Sequence, residues 1–494
     1  MLLQKTFLLF LGLLCLGQIN AQNIGDAVRY SQFDRIGTAR SLGVANSMSA
    51  IGGDFSAVGY NPAGLATYRF NEVIFSTGYL NAKTTSLLIN SEGSNDLSAN
   101  NLGINNAGVV FVYKPVRGKL KSTNLSIGYN RLANFNQSST FSGKTVGSIT
   151  QRFIELATGF LPNELDNFES GPAFDAFAIF DAPADSGEYF SDIGETEEVQ
   201  KSQRIESTGS MNEISFAVAG NFNHKLYIGA SINIPFLEYR ENKLYEEADP
   251  NDEITIFNSL SYEEDLYTSG SGINFHLGLI YLLTKKIKIG ASVKSPTFLG
   301  LTDIFSTNVF YSLTDPNDPD LSGDRQADSP EGNFEYGLRT PWRMNASFGA
   351  VLGKSGFISA EVELVDYKSN NFNLTRTSSN PGDAVFEEQL NGELTRDLTS
   401  ALNIKVGGEI AFNNFRVRTG VGLRGSPYDG DSGFNINYNA GAGVRVKRFF
   451  ADFGFQISSF EQGYLPYVTE FFEQPFVETK TSNNQLLLTL GYKF

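Results

Sequence analysis

The chain reads as all-β: a transmembrane antiparallel β-barrel of about fourteen strands, with an N-terminal hatch plugging the lumen. Three observations predict this. Bulky apolar residues alternate with small or polar ones in segment after segment, the connections are by turns short and long, and beyond the N-terminal leader no apolar run is long enough for a spanning helix. Composition agrees: 49 Gly, 41 Phe and 21 Tyr among 494 residues favour strands over helices. No internal repeat and no linker-like stretch divides the chain.

Residues 1–21 read as a signal peptide. In "MLLQKTFLLFLGLLCLGQINAQN", Lys5 precedes the apolar run from Phe7 to Leu16, and small Ala21 stands before Gln22. The run is too short to stay in a bilayer. Cleavage after Ala21 removes Cys15, the single cysteine, so the exported chain has to be held by packing and hydrogen bonds.

Residues 22–71 do not alternate. A helix-like stretch from Ala39 to Ala50, the breaker Gly52-Gly53, a turn around Asp54 to Val58 and then Asn61-Pro62-Ala63 describe a compact segment. A barrel of about fourteen strands is too wide for its own wall side chains to fill, so this segment fits inside it as a hatch. Pro62 fixes φ and lacks an N–H. The kink at Asn61, Pro62 and Ala63 therefore either holds the hatch end rigidly beside the wall as a gate, or is a turn into the first strand.

Residues 72–494 carry the wall. The alternating segments are about 9 to 12 residues long, which suits a tilted spanning strand. Ile273, Phe275, Leu277, Leu279 and Tyr281 interleave with Asn274, His276 and Gly278; Leu486, Leu488, Leu490, Tyr492 and Phe494 share the face that closure turns toward hydrocarbon. Short turns fall at 223–225, 284–286, 353–355, 413–414 and 447–448, and long outer loops at 137–211, 236–268, 296–333, 368–398 and 460–482. Lys and Arg gather near the short turns, while the long loops hold most of the carboxylates behind the net charge of −16. An acidic exterior argues against nucleic acid as a partner.

Charged residues on the alternating segments need an inward place, because a charge facing lipid near the midplane costs about 2–4 kcal/mol. The two-residue turn Asn413-Asn414 sets Glu409 opposite Arg418. That pair, with Arg416, Glu361, Glu363, Arg343 and Arg445, should point into the lumen, as a salt-bridge ladder or as substrate contacts. In the longest loop, Phe153, Phe160, Leu161, Phe174, Phe177 and Phe180 offer more apolar area than an idle loop needs. They either capture apolar ligands or pack as a lid.

Other chemistry is sparse. Asp318, Asp320 and Ser322 in "DPNDPDLSGD" partly match a calcium loop, but Ser329 stands where the twelfth-position Glu belongs, so a solvated acidic loop competes with a metal site. "GDSG" at 430–433 has no His at hand to activate its Ser432. With only His224 and His276, neither an enzyme nor haem ligation is expected, and no cofactor is expected.

One stretch is more specific. "GTARSLGVANSMSAIGGDFSAVGYNPAGLA", residues 37–66, resembles the N-terminal hatch of the FadL/TodX family of outer-membrane transporters for hydrophobic compounds, and "YNPAGLA" carries that family's Asn-Pro-Ala signature. The leader, the strand count, the terminal Phe494 and "RTPWR" at 339–343 fit the family too. The resemblance implies a monomer in the bacterial outer membrane, surrounded by its lipid and inserted by the barrel-assembly machinery. It implies passive uptake of a hydrophobic small molecule, a long-chain fatty acid or an aromatic hydrocarbon, gated by the hatch and released sideways through the wall. Some barrels of this kind look like shuttle or attachment components of protein-secretion systems, and that alternative stays open.

Overall fold

The computed structural model describes residues 23–33, 37–183, 186–376 and 381–494; the leader, with Cys15, lies outside the described residues. Alternating segments form the wall strands β1 (Glu72–Leu88), β2 (Asn95–Tyr113), β3 (Leu120–Asn134), β4 (Glu198–Phe222), β5 (Leu226–Ala248), β6 (Phe257–Leu282) and β7 (Ile287–Lys294, resumed as Phe298–Leu313). The wall continues with β8 (Gly332–Arg339 and Arg343–Val351), β9 (Gly356–Asp366), β10 (Ser400–Phe412), β11 (Phe415–Gly425), β12 (Phe434–Val446), β13 (Phe449–Tyr464) and β14 (Val477–Lys493). Each pairs antiparallel with the next, and β14 returns to β1 from Lys493 opposite Glu72 to Val477 opposite Leu88. Closure at this seam satisfies backbone groups that hydrocarbon could not.

Period-2 alternation turns one side chain of every two outward, and the outward ones include Phe75, Ile104, Phe111, Ile127, Phe216, Leu277, Phe348, Val417, Leu488 and Leu490, all exposed. This continuous apolar belt is the surface of a barrel that crosses a bilayer. Tyr492 lies 4.6 Å from the Phe449 ring and 6.3 Å from that of Phe494, an aromatic cluster at the rim of the short turns. Those turns use left-handed residues: φ is 55° at Asn223 and His224, 52° at Asn413 and 54° at Lys447.

Pro296 and Pro341 interrupt β7 and β8 side by side, because proline has no N–H for the ladder. The chain re-ties itself there: Thr297 N–H donates to Thr340 Oγ1 at 2.9 Å, and Thr340 N–H to the Thr297 carbonyl at 3.0 Å.

The outer side differs from the sequence expectation. Much of 236–268 and 296–333 is strand, with β5 and β6 paired as far as Ala248 opposite Ser259. Above the belt both faces carry polar groups, Glu241, Lys243 and Glu247 on one and Asn242 and Glu246 on the other, so hydrophobic alternation no longer marks the strand. The stretch 368–398 holds a helix, α6 (Pro381–Asp397), and 137–211 holds strand Gln137–Val146 and the start of β4.

Candidate functional site

The segment ahead of the wall runs inside it. Helices α2 (Ala39–Leu42) and α3 (Phe55–Tyr60) and a 3-10 turn (Pro62–Thr67) are started by Thr38, Asp54 and Asn61, whose side chains accept from Ser41, Ser56 and Ala63 N–H. Cross-strand glycine pairs receive this hatch. Gly407 faces Gly420 beneath Val44, Gly441 faces Gly454 beneath Gly43 and Ala39, Gly229 faces Gly278 beneath Asn61 and Pro62, and Gly108 faces Gly128 beneath the Phe55 ring. A Cβ at Gly407 would stand 2.3 Å from the Val44 carbonyl oxygen, and one at Gly278 2.0 Å from Asn61 Oδ1. Only a wall without side chains at these points admits hatch backbone so close.

Asn61 also donates through Nδ2 to the Leu279 carbonyl at 3.1 Å, and Pro62 and Ala63 are buried against β5 and β6. The Asn-Pro-Ala kink is therefore pressed onto the wall.

Charges lock the opposite side. Arg40 of α2 grips Glu409 with two bonds, Nε to Oε2 at 2.9 Å and Nη2 to Oε1 at 3.1 Å, and reaches the Gly53 carbonyl at 3.0 Å. Arg418 stands behind, 2.6 Å from Glu409 and 2.8 Å from Asp452, which also takes Arg445. Glu361 accepts from hatch Ser49 and faces Lys405 at 3.8 Å; Arg343 pairs with Glu363 at 3.3 Å. Arg416 departs from the expected ladder. Its guanidinium caps the Asn413 and Phe415 carbonyls, because its place beside the two-residue turn puts those free carbonyls within reach. Sequence reasoning missed Arg40, Asp452, Lys405 and the buried Lys294–Glu213 pair at 2.7 Å.

Above the hatch lies a chamber of about 1310 Å³. Its walls mix apolar Phe33, Phe135 and Phe386 with Arg29, Glu241 and Lys243. The lining is amphipathic, where a dry pocket would be apolar throughout. Helix α1 (Ile24–Arg29) and α6 border it, with Leu390 and Leu394 of α6 and Leu398 just after it buried beside Val28 and Tyr30.

A cap closes the outer end. Helices α4 (Thr150–Ala157) and α5 (Ser170–Asp175) pack Ile149, Phe153, Ala173 and Ile179 against Tyr245, Tyr262 and Tyr311 of the wall. Glu247 anchors it, accepting from Ile149 N–H at 2.9 Å and Ser148 Oγ at 2.5 Å. Burial works against the Arg152 charge, yet Glu169 beside it holds the guanidinium above its usual pKa. Among the capture candidates, Phe153 is fully buried and Phe174 is packed on the cap core, so these two build the lid. Phe160, Leu161, Phe177 and Phe180 are exposed on its outer surface. Asp318 and Ser322 serve their own loop, accepting from Asp320 and Asp315 N–H; among the described residues no group of three or more metal-ligating side chains is assembled.

The wall is incomplete at one height. β2 pairs with β3 only from Tyr113 opposite Thr123 to Asn106 opposite Asn130. Beyond Asn106, β2 pairs with β1 alone, while the chain after β3 breaks at Phe135-Asn136 and resumes as Gln137–Val146 on β4. Ala133, Asn134 and Phe135 line the chamber at this break.

No protein-family model and no curated protein matches the chain. Among solved structures, a FadL homologue of Pseudomonas aeruginosa aligns over 94% of this chain and 99% of its own, with a TM-score of 0.53 at 12% identity. The fold is the FadL-type barrel. The toluene transporter TbuX of Ralstonia pickettii aligns over 92% of this chain and 98% of its own, with a TM-score of 0.47 at 14% identity. Residues 37–67 lie inside this wall, and the outer cap and α6 border the chamber.

Proposed function

We propose that this barrel is a passive outer-membrane channel for hydrophobic small molecules, in which cargo collects in the chamber and leaves sideways through the wall. The observation that carries this is the coincidence of two features: a segment seated on glycine pairs inside the wall, and a chamber whose lining includes the break between β2 and β3. Apolar cargo gains from a lateral exit, because each CH₂ kept out of water is worth about 0.8 kcal/mol. The hatch is the barrier that turns the path toward hydrocarbon, with Asn61, Pro62 and Ala63 fixing its end.

The test uses intact cells whose outer membrane carries the protein and 1-N-phenylnaphthylamine, which fluoresces on entering a bilayer. Faster dye uptake than in cells lacking the protein is expected, and mass spectrometry of gently purified barrel should find an apolar molecule bound. Equal uptake with no bound molecule, and an exported protein co-purifying in stoichiometric amount, would replace this reading with the secretion-platform one.

A further inference from the structure

We infer that Arg131, Asn101 and Asn134 form a side-chain latch that holds the wall break shut, and that their parting opens the route from chamber to bilayer. The inference rests on the lateral-exit reading above.

At the break, side chains replace the missing backbone ladder. Arg131 Nη1 donates to Asn101 Oδ1 at 3.1 Å, and Asn134 Nδ2 donates to the same oxygen at 3.0 Å. One acceptor thus ties β2 to both residues of β3. The guanidinium lies flat over Gly103, where a Cβ would come within 2.6 Å of Nη2. Two bulges frame it. Asn105 is skipped in the β1–β2 register, and Leu132 is skipped in the pairing of β3 with β4. On the outside at this height Leu102 and Ile104 are exposed, which sets the latch at hydrocarbon level.

The latch is under-satisfied, as a moving part should be. The buried Nε of Arg131 has no hydrogen-bond partner, and neither has the buried Oδ1 of Asn105. Neighbouring wall positions are held by continuous ladders, so rupture of the wall begins where two hydrogen bonds to one oxygen stand in for them. Asn134 lines the chamber, so cargo reaches the latch from inside.

The test is a reversible staple in the full chain with Cys15→Ser: Asn101→Cys with Asn134→Cys, joined by a short bis-methanethiosulfonate and released by reductant. Folding is checked by heat-modifiable migration in gels, and uptake of 1-N-phenylnaphthylamine is followed in intact cells. Stapling should cut uptake at least tenfold and reductant should restore it. Arg131→Ala should raise uptake severalfold, with Arg131→Lys, which keeps one donor, in between. Uptake that persists in the stapled barrel overturns the latch and leaves the transport reading standing. No uptake by the unmodified protein overturns the transport reading itself, and the latch with it.

Discussion

Replacing Arg40 by alanine tests whether the hatch is keyed to the wall by charge. Arg40 makes three hydrogen bonds, two of them to Glu409, and its side chain is 18% exposed against 7% for Glu409. Breaking a buried pair costs about 3–5 kcal/mol when a charge is left uncompensated. Here Arg418 stays 2.6 Å from Glu409, so the carboxylate keeps a partner and the loss falls toward that of a charged hydrogen bond, about 2 kcal/mol. That corresponds to about 30-fold easier local opening. Amide hydrogen exchange of residues 39–42 in lipid nanodiscs reads it directly. Arg204→Ala, which breaks the exposed pair with Glu206, is the control and should leave exchange unchanged. In a Glu409→Gln background the Arg40→Ala effect should shrink severalfold. If Arg40→Ala changes hatch exchange by less than about threefold, the buried pair does not hold the hatch and the reasoning fails.

Four further outcomes follow from the same packing. Gly407→Leu should expel α2 and expose the hatch to protease, since its Cβ alone would stand 2.3 Å from the Val44 carbonyl, whereas Gly392→Ala in α6, with open space around it, should be neutral or slightly stabilising. Phe153→Ala should loosen the outer cap by about 3–5 kcal/mol, measured as faster exchange across residues 149–179, while β10 to β12 keep their protection. Leu488→Arg puts a charge in the belt and should cost about 2–4 kcal/mol in urea unfolding from vesicles; no change would mean that the belt does not face hydrocarbon. Burial raises the Asp192 carboxyl pKa against the opposing hydrogen bond from Tyr311, so the folded loop binds its proton more readily than the unfolded one. Cap stability should therefore fall as pH rises from the ordinary carboxylate pKa through the raised one, and Asp192→Asn should flatten that slope.

Legibility followed the physics that wrote each pattern. The belt was readable because lipid enforces alternation, and the Asn413-Asn414 turn set a register that places Glu409 opposite Arg418 in the structure. Asp452 was equally placed to be found, since it is an inward carboxylate on β13, but the partner it serves is two strands away and needs the β12 register first. Helix α6 was hidden by its charges, although Leu390 and Leu394, four residues apart, mark its buried face and Leu398 just past its end continues the spacing. The extensions of β5 and β6 carried no apolar alternation because no hydrocarbon surrounds them. The wall break could not be read at all. It depends on where bulges at Asn105 and Leu132 end the pairing of β2 and β3, and nothing in either strand alone announces them.

The central claim is that a fixed hatch closes the axis while apolar molecules pass through the side. Comparing two solutes of similar size in the same cells tests it most directly: 1-N-phenylnaphthylamine and a charged, water-soluble dye. The account predicts that the protein speeds entry of the first and leaves the second excluded. Equal passage of both would make the barrel an open aqueous pore, and passage of neither would end its reading as a channel.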